Sequence, residues 1–232
     1  DTSGAGLHKR GYRANSNAAP LRETLAAAMV KLARWRGREP LLDPFCGSGT
    51  IAIEAAMIAQ RRAPGLLRTF DAEKWACFDA AVWRQAREDA LGMTDGSARF
   101  PIVGSDIDPA CVQLSIENAR KAGVSGTVFF EQADAVKRDY GRHGVLFANP
   151  PYGERLLDLQ AAEKLYGELG QALAKSPMKQ YILSSDPLFE RCFGRKADKR
   201  RKLYNGMIKC ELHMYFKHSP RPSAKVDRTA AT

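Results

Sequence analysis

Leu41-Leu42-Asp43-Pro44-Phe45-Cys46-Gly47-Ser48-Gly49-Thr50 runs without a break into Ile51-Ala52-Ile53-Glu54-Ala55-Ala56-Met57-Ile58-Ala59. Apolar residues lead to a carboxylate, a glycine-rich bend follows, and a helical apolar pattern comes next. Strand, glycine loop, helix is the opening unit of an α/β sheet with parallel strands. Gly47 and Gly49 let the backbone turn tightly and let a ligand come close. No Gly-Lys-Ser/Thr follows, and the third glycine of a dinucleotide fingerprint is missing. Asp43 before the bend would repel a pyrophosphate and suits a ligand carrying an ammonium or sulfonium group. Cys46 reads as a small side chain that fits the loop.

Three further strand ends carry polar residues in order. Pro101-Ile102-Val103-Gly104-Ser105-Asp106-Ile107-Asp108-Pro109 ends an apolar run in acid. An acid ending the second strand of such a unit accepts from ribose hydroxyls, and Asp106 is the candidate. Asp108, just before Pro109 and a helical stretch, reads as a helix N-cap with proline at the first helical position. Ile107 can cover one face of an adenine. Asp134, in Glu131-Gln132-Ala133-Asp134-Ala135, can accept from an adenine amino group. The run Val145-Leu146-Phe147-Ala148 then stops at Asn149-Pro150-Pro151-Tyr152-Gly153-Glu154-Arg155. The prolines stiffen the backbone where the strand gives out. That corner can present the Asn149 amide oxygen and a neighbouring main-chain carbonyl as fixed acceptors, with the Tyr152 ring beside them. Two acceptors and a ring suit a flat base with an exocyclic amino group. Arg155 either holds a phosphate or pairs with Glu154.

Around these motifs the pattern alternates. Helices are predicted over 18–35, 49–61, 109–123 and 159–174, and strands over 40–43, 101–106, 126–131, 144–148 and 180–184. Residues 62–98 form an insertion with one helix, and the spacing of Trp75, Phe78, Val82 and Trp83 there reads as core. Asn205-Gly206 between alternating runs signals a C-terminal hairpin. Residues 1–18 read as a linker, 19–218 as one catalytic domain, and 219–232 as a disordered tail.

These motifs together resemble class I S-adenosylmethionine-dependent amino-methyltransferases. Gly6-Leu7-His8-Lys9-Arg10-Gly11-Tyr12-Arg13, Ala19-Pro20-Leu21-Arg22-Glu23-Thr24-Leu25-Ala26 and Lys202-Leu203-Tyr204-Asn205-Gly206 narrow the resemblance to bacterial 23S rRNA guanine-N2 methyltransferases. Members often carry the label of N6-adenine-specific DNA methylases. The resemblance implies a Rossmann-like, mostly parallel seven-stranded sheet with helices on both faces and an antiparallel C-terminal hairpin. It implies S-adenosylmethionine held by Asp43, Phe45, Gly47, Ser48, Gly49, Thr50, Asp106, Ile107 and Asp134. It also implies methyl transfer at Asn149, Pro150, Pro151 and Tyr152. The implied partner is RNA, 23S ribosomal RNA above all, and the family's upstream THUMP-type RNA-binding domain is missing from this chain. Two alternatives stay open: an N6-adenine DNA methyltransferase, and a non-catalytic nucleic-acid-binding module with a decayed cofactor site.

Composition fits this reading. The chain has 232 residues, of which 36 are basic and 26 acidic, for a formal charge of +10. Clustered positive charge is an electrostatic footprint for nucleic acid. Lys199, Arg200, Arg201 and Lys202 form the densest run and read as phosphate contacts on one exposed surface; Lys9, Arg10 and Arg13 read likewise. Arg34, Arg36 and Arg38 instead read as cations at a helix C-terminus. The five cysteines show no paired spacing, which favours reduced thiols in the cytoplasm. No histidine falls at metal-ligand spacing, so no metal is expected.

Overall fold

The computed structural model describes residues 1–13, 21–96, 100–151 and 159–217. Tyr152, Glu154, Arg155 and the tail from 219 on lie outside the described residues.

Seven strands form one sheet: β1 (Leu41–Asp43), β2 (Ile102–Asp106), β3 (Val128–Gln132), β4 (Val145–Ala148), β5 (Lys179–Ser184), β6 (Lys199–Asn205) and β7 (Ile208–Tyr215). Their spatial order is β3-β2-β1-β4-β5-β7-β6. β1 to β5 are parallel, and β7 runs antiparallel to both β5 and β6. The order reverses between β1 and β4, where open α/β sheets bind their ligands.

The central strands are apolar along their middles, with polar residues at or just past their ends, because both faces are covered. On one face Leu41, Ile102, Val145, Phe147 and Leu183 pack with α1 (Glu23–Leu32), α2 (Thr50–Ala59) and α4 (Pro109–Ala122). On the other, Leu42, Leu146, Ala148 and Ile182 pack with α5 (Leu159–Leu173) and α6 (Phe189–Phe193). Successive residues of a strand thus enter opposite layers, as the pleat requires.

The remaining helix, α3 (Ala80–Gly92), lies in the insertion and buries none of its residues. The expected core role of its aromatics is therefore corrected. Trp75 and Phe78 are 42% and 45% exposed. Their rings pack with those of Phe70 and Trp83, two pairs stacked and Phe78 edge-on to Trp83, with centroids 6.0–6.3 Å apart. The expected helix is present, but it begins at Ala80, after Trp75 and Phe78, and these aromatics are covered by the insertion's own rings, not by the sheet.

The linker reading of residues 1–18 is also corrected for residues 1–13. Arg68, from the insertion, is buried and donates to the carbonyls of Ser3, Ala5, Gly6 and Lys9. Tyr12 is fully buried, and its hydroxyl donates to Glu54. One guanidinium serving four carbonyls ties this segment down.

Candidate active site

The four motif ends meet at the C-terminal edge of neighbouring strands. Asp43 ends β1 level with Gly104 of β2, and Asp106 ends β2 level with Gln132 of β3. Asp134 follows two residues later. Asn149 follows β4, which pairs with β1 on its other side.

The glycine loop joins β1 to α2. Gly47 and Gly49 have φ of +53° and +82°, a region that side chains rarely adopt. A Cβ on Gly49 would also stand 3.0 Å from the Phe130 ring and 3.1 Å from Ser115. The loop is held from outside: Ser115 donates to the Gly47 carbonyl and Asn118 to the Ser48 carbonyl, each at 2.9 Å. Both are buried on α4, three residues apart on its inner face. Sequence reasoning missed them; polar residues on the apolar side of a helix were the available signal. Cys46 is buried near the Ser115 hydroxyl, and burial pushes its thiol well above the usual range, so it is inert packing.

Asp43 is 1% exposed. One carboxylate oxygen accepts from the Phe45 amide at 3.3 Å, and the other has no hydrogen-bond partner among the described residues. Burial pushes its pKa up to about 8; the Phe45 bond opposes this and the nearby Asp106 charge adds to it. A buried, half-satisfied acid beside a glycine cradle asks for a cationic ligand group. Asp106 accepts from the Gly47 and Asp108 amides, joining the loop to the end of β2. Ile107, 65% exposed, stands beside it. Asp134 accepts from the Val136 amide and pairs with Lys137; these hold its carboxyl below the usual range. Asp108 caps α4 through the Ala110 amide, with Pro109 first in the helix, as the sequence indicates.

At the end of β4, the Asn149 side-chain oxygen is buried with no partner among the described residues. Pro150 is buried. Tyr166 of α5 donates to the Pro151 carbonyl at 2.9 Å, which fixes the turn from below; burial pushes its phenol up to about 12.

Several assigned roles change. The Thr50 hydroxyl is buried and taken by Arg13 (2.6 Å) and Ser48 (3.2 Å), so its side chain braces the loop. Arg10 pairs with Glu54 at 3.2 Å, and Arg13 with Glu23 at 3.6 Å while donating to the Leu21 carbonyl. Both guanidinium groups are nearly buried and serve internal carboxylates, so they are not phosphate contacts. Lys9 alone of that cluster is exposed. Lys199, Arg200, Arg201 and Lys202 are all exposed but lie along β6, so alternate side chains point to opposite faces of the sheet. They do not share one surface. Among the described residues no group of three potential metal ligands gathers, and no helix is long and apolar enough to cross a membrane.

A doubly wound sheet with an acid at each of three adjacent strand ends and an amide at the fourth defines a class I S-adenosylmethionine-dependent methyltransferase. Residues 10–214 match the model of the RMKL-like methyltransferase domain, and the chain belongs to that family. It is 44% identical over 234 residues to YpsC of Bacillus subtilis (strain 168), which carries an RNA methyltransferase name. It is 42% identical over 239 residues to ribosomal RNA large subunit methyltransferase K/L of Shewanella amazonensis. These alignments cover 99% and 98% of the chain, but it spans only 60% and 34% of those relatives. The structure of SMU.472 complexed with SAH superposes with a TM-score of 0.86 at 43% identity, covering 93% of this chain and 57% of that one. The cofactor is S-adenosylmethionine, and the residues present fit it: the Asp43 oxygen without a partner among the described residues suits its cationic end, and Gly47 and Gly49 turn the loop beside it at positive φ.

Asp106→Ala should weaken S-adenosylmethionine binding by about 10- to 100-fold, the loss of a charge-assisted pair. Calorimetry checks this, and unchanged affinity would move the ribose contact to Asp108.

Proposed function

We propose that this chain transfers a methyl group to an exocyclic amino nitrogen of a base in RNA, with guanine N2 of 23S ribosomal RNA as the target. The observation that carries this reading is the buried Asn149 oxygen at the end of β4, which has no hydrogen-bond partner among the described residues and stands one strand from the buried acid of β1. The large-subunit names of relatives support the choice of polymer.

When bound, S-adenosylmethionine supplies an electrophilic methyl group. The chain supplies position. The amino lone pair of a base is delocalised into the ring and is a poor nucleophile. Acceptance of its two N–H bonds by the Asn149 oxygen and the Pro150 carbonyl bends the nitrogen toward tetrahedral geometry and frees the lone pair. Tyr166 keeps the turn in place through Pro151, and Tyr152 stacks on the base once it has left its helix. Alignment of this kind supplies several kcal/mol, about 7–11 at the extreme. No strong base is needed, because the nitrogen becomes acidic only as the methyl arrives, and the proton then leaves to water. Asp43 holds the methionine end of the cofactor, Asp106 the ribose and Asp134 the adenine.

The test is nucleoside mass spectrometry of ribosomal RNA from cells lacking the gene, with add-back of the purified protein. Loss of one N2-methylguanosine, restored on add-back, is expected. Methylation of adenine N6 in DNA would overturn the polymer and the base together.

A further inference from the structure

The hairpin β6–β7 rises well past the edge at which the other strands stop. Ala148, the last residue of β4, is level with Ile182, Ile182 with His213, and His213 with Arg200. Asn205 therefore stands five residues beyond that level, about 16 Å higher. Its outer strand, β6, lies three strands from β4, about 14 Å to the side. It forms a wall beside the same edge that holds Asp43 and Asn149.

The free part of this wall has a defined chemistry. Tyr204 is 53% exposed and pairs across the hairpin with Lys209, which is also exposed. Lys202, two residues below on the same face, sets its ammonium 5.3 Å from the Tyr204 ring centre. At the tip, Gly206 has φ of +66° at the first of two loop positions, the requirement of a type II′ turn. Met207, the second, is 97% exposed. The turn is fixed to the start of α1: Asn205 accepts from the Arg22 amide at 3.1 Å, and the exposed Arg22 guanidinium lies against Gly206. A rigid tip thus carries an aromatic ring and a thioether, with Lys202 and Lys209 on the tyrosine's face and Arg22 against the turn from the α1 side. The acid on this face, Glu211, is paired with Arg200. Among the described residues nothing covers Met207, and half of Tyr204 stays open.

We propose that the free end of this hairpin docks the single strand of RNA next to the methylated base. Tyr204 stacks on an unpaired neighbouring base, and Lys202 and Lys209 on the same face meet the flanking phosphates. The proposal rests on the RNA reading above and adds a surface to it. It also divides the basic run of β6: Lys202 works at the ligand edge, whereas Lys199 and Arg200 stand at or below the level where β4 ends.

The test uses the full 232-residue chain and a fluorescein-labelled oligouridylate, with affinity read by anisotropy over a salt series. Tyr204→Ala should raise Kd about tenfold without changing the salt slope, and Tyr204→Phe should stay within about twofold of wild type. Lys202→Gln with Lys209→Gln should flatten the log–log salt slope by about 0.7 per contact. All variants should bind S-adenosylmethionine as wild type does, and ultraviolet crosslinks should map to Tyr204 or Met207. Wild-type affinity in Tyr204→Ala with crosslinks elsewhere overturns the hairpin assignment and leaves the RNA reading intact. Equal competition by an RNA duplex also overturns it, because a duplex offers no open base to stack. No binding by the wild-type chain at low salt overturns both.

Discussion

Asn149→Ala should abolish most methyl transfer, by about 10²- to 10³-fold in kcat, while cofactor affinity stays near wild type. That loss is typical when one preorganised polar group aimed at the reacting centre is removed. The separation follows from where Asn149 stands. It lies past β4, whereas the glycine loop and the acids proposed to hold the cofactor end or follow β1, β2 and β3. Its oxygen makes no hydrogen bond among the described residues, so truncation removes no internal contact of that atom. Single-turnover methylation beside calorimetry gives both quantities. Near wild-type turnover would refute the role given to this amide.

Asp43→Asn should make the cofactor-free domain more stable at pH 8 and, at the same time, weaken S-adenosylmethionine binding at least tenfold. Burial holds the Asp43 carboxyl protonated up to about pH 8, against an ordinary value of 3.8. Between those values the folded chain binds one proton more than the unfolded chain. Stability therefore falls as pH rises through this window, and the penalty is complete above pH 8. Asparagine never ionises and removes it, for a gain of up to about 5 kcal/mol, or roughly 10–20 °C in Tm. Near pH 4 the two forms should melt together. A cationic ligand needs the ionised acid, so wild-type affinity should rise with pH toward 8, with proton release seen as a buffer-dependent heat. Melting curves that stay parallel from pH 4 to 8 would show that Asp43 is ionised throughout.

The sheet and the line of strand-end acids were legible because each rests on local pattern: a short apolar run, a polar stop, a glycine or proline. The Asp108 cap and the Asn205-Gly206 hairpin were legible for the same reason. What the pattern hid were partnerships between distant residues. Arg10 and Arg13 look like a basic patch beside Lys9 until Glu54, 44 residues on, and Glu23 are brought against them. Thr50 looks like a ligand of the loop until Arg13 takes its hydroxyl. The aromatics of the insertion have helical spacing, but spacing does not say which surface will cover them, and here they cover each other. The helix α6 was missed because five residues carry too little period to detect. The run in β6 was read as one patch because charge density ignores the pleat.

That run has a consequence unrelated to RNA. β6 is the last strand of the sheet, so among the described residues one side of its backbone has no neighbouring strand. An open row of amides and carbonyls invites a strand from another molecule to join, which is how sheets grow into fibrils. Four consecutive cations on the first four of the seven residues of β6 set like charge against any incoming copy. The same side chains act as gatekeepers against aggregation while the chain is young and crowded, before it has met any substrate.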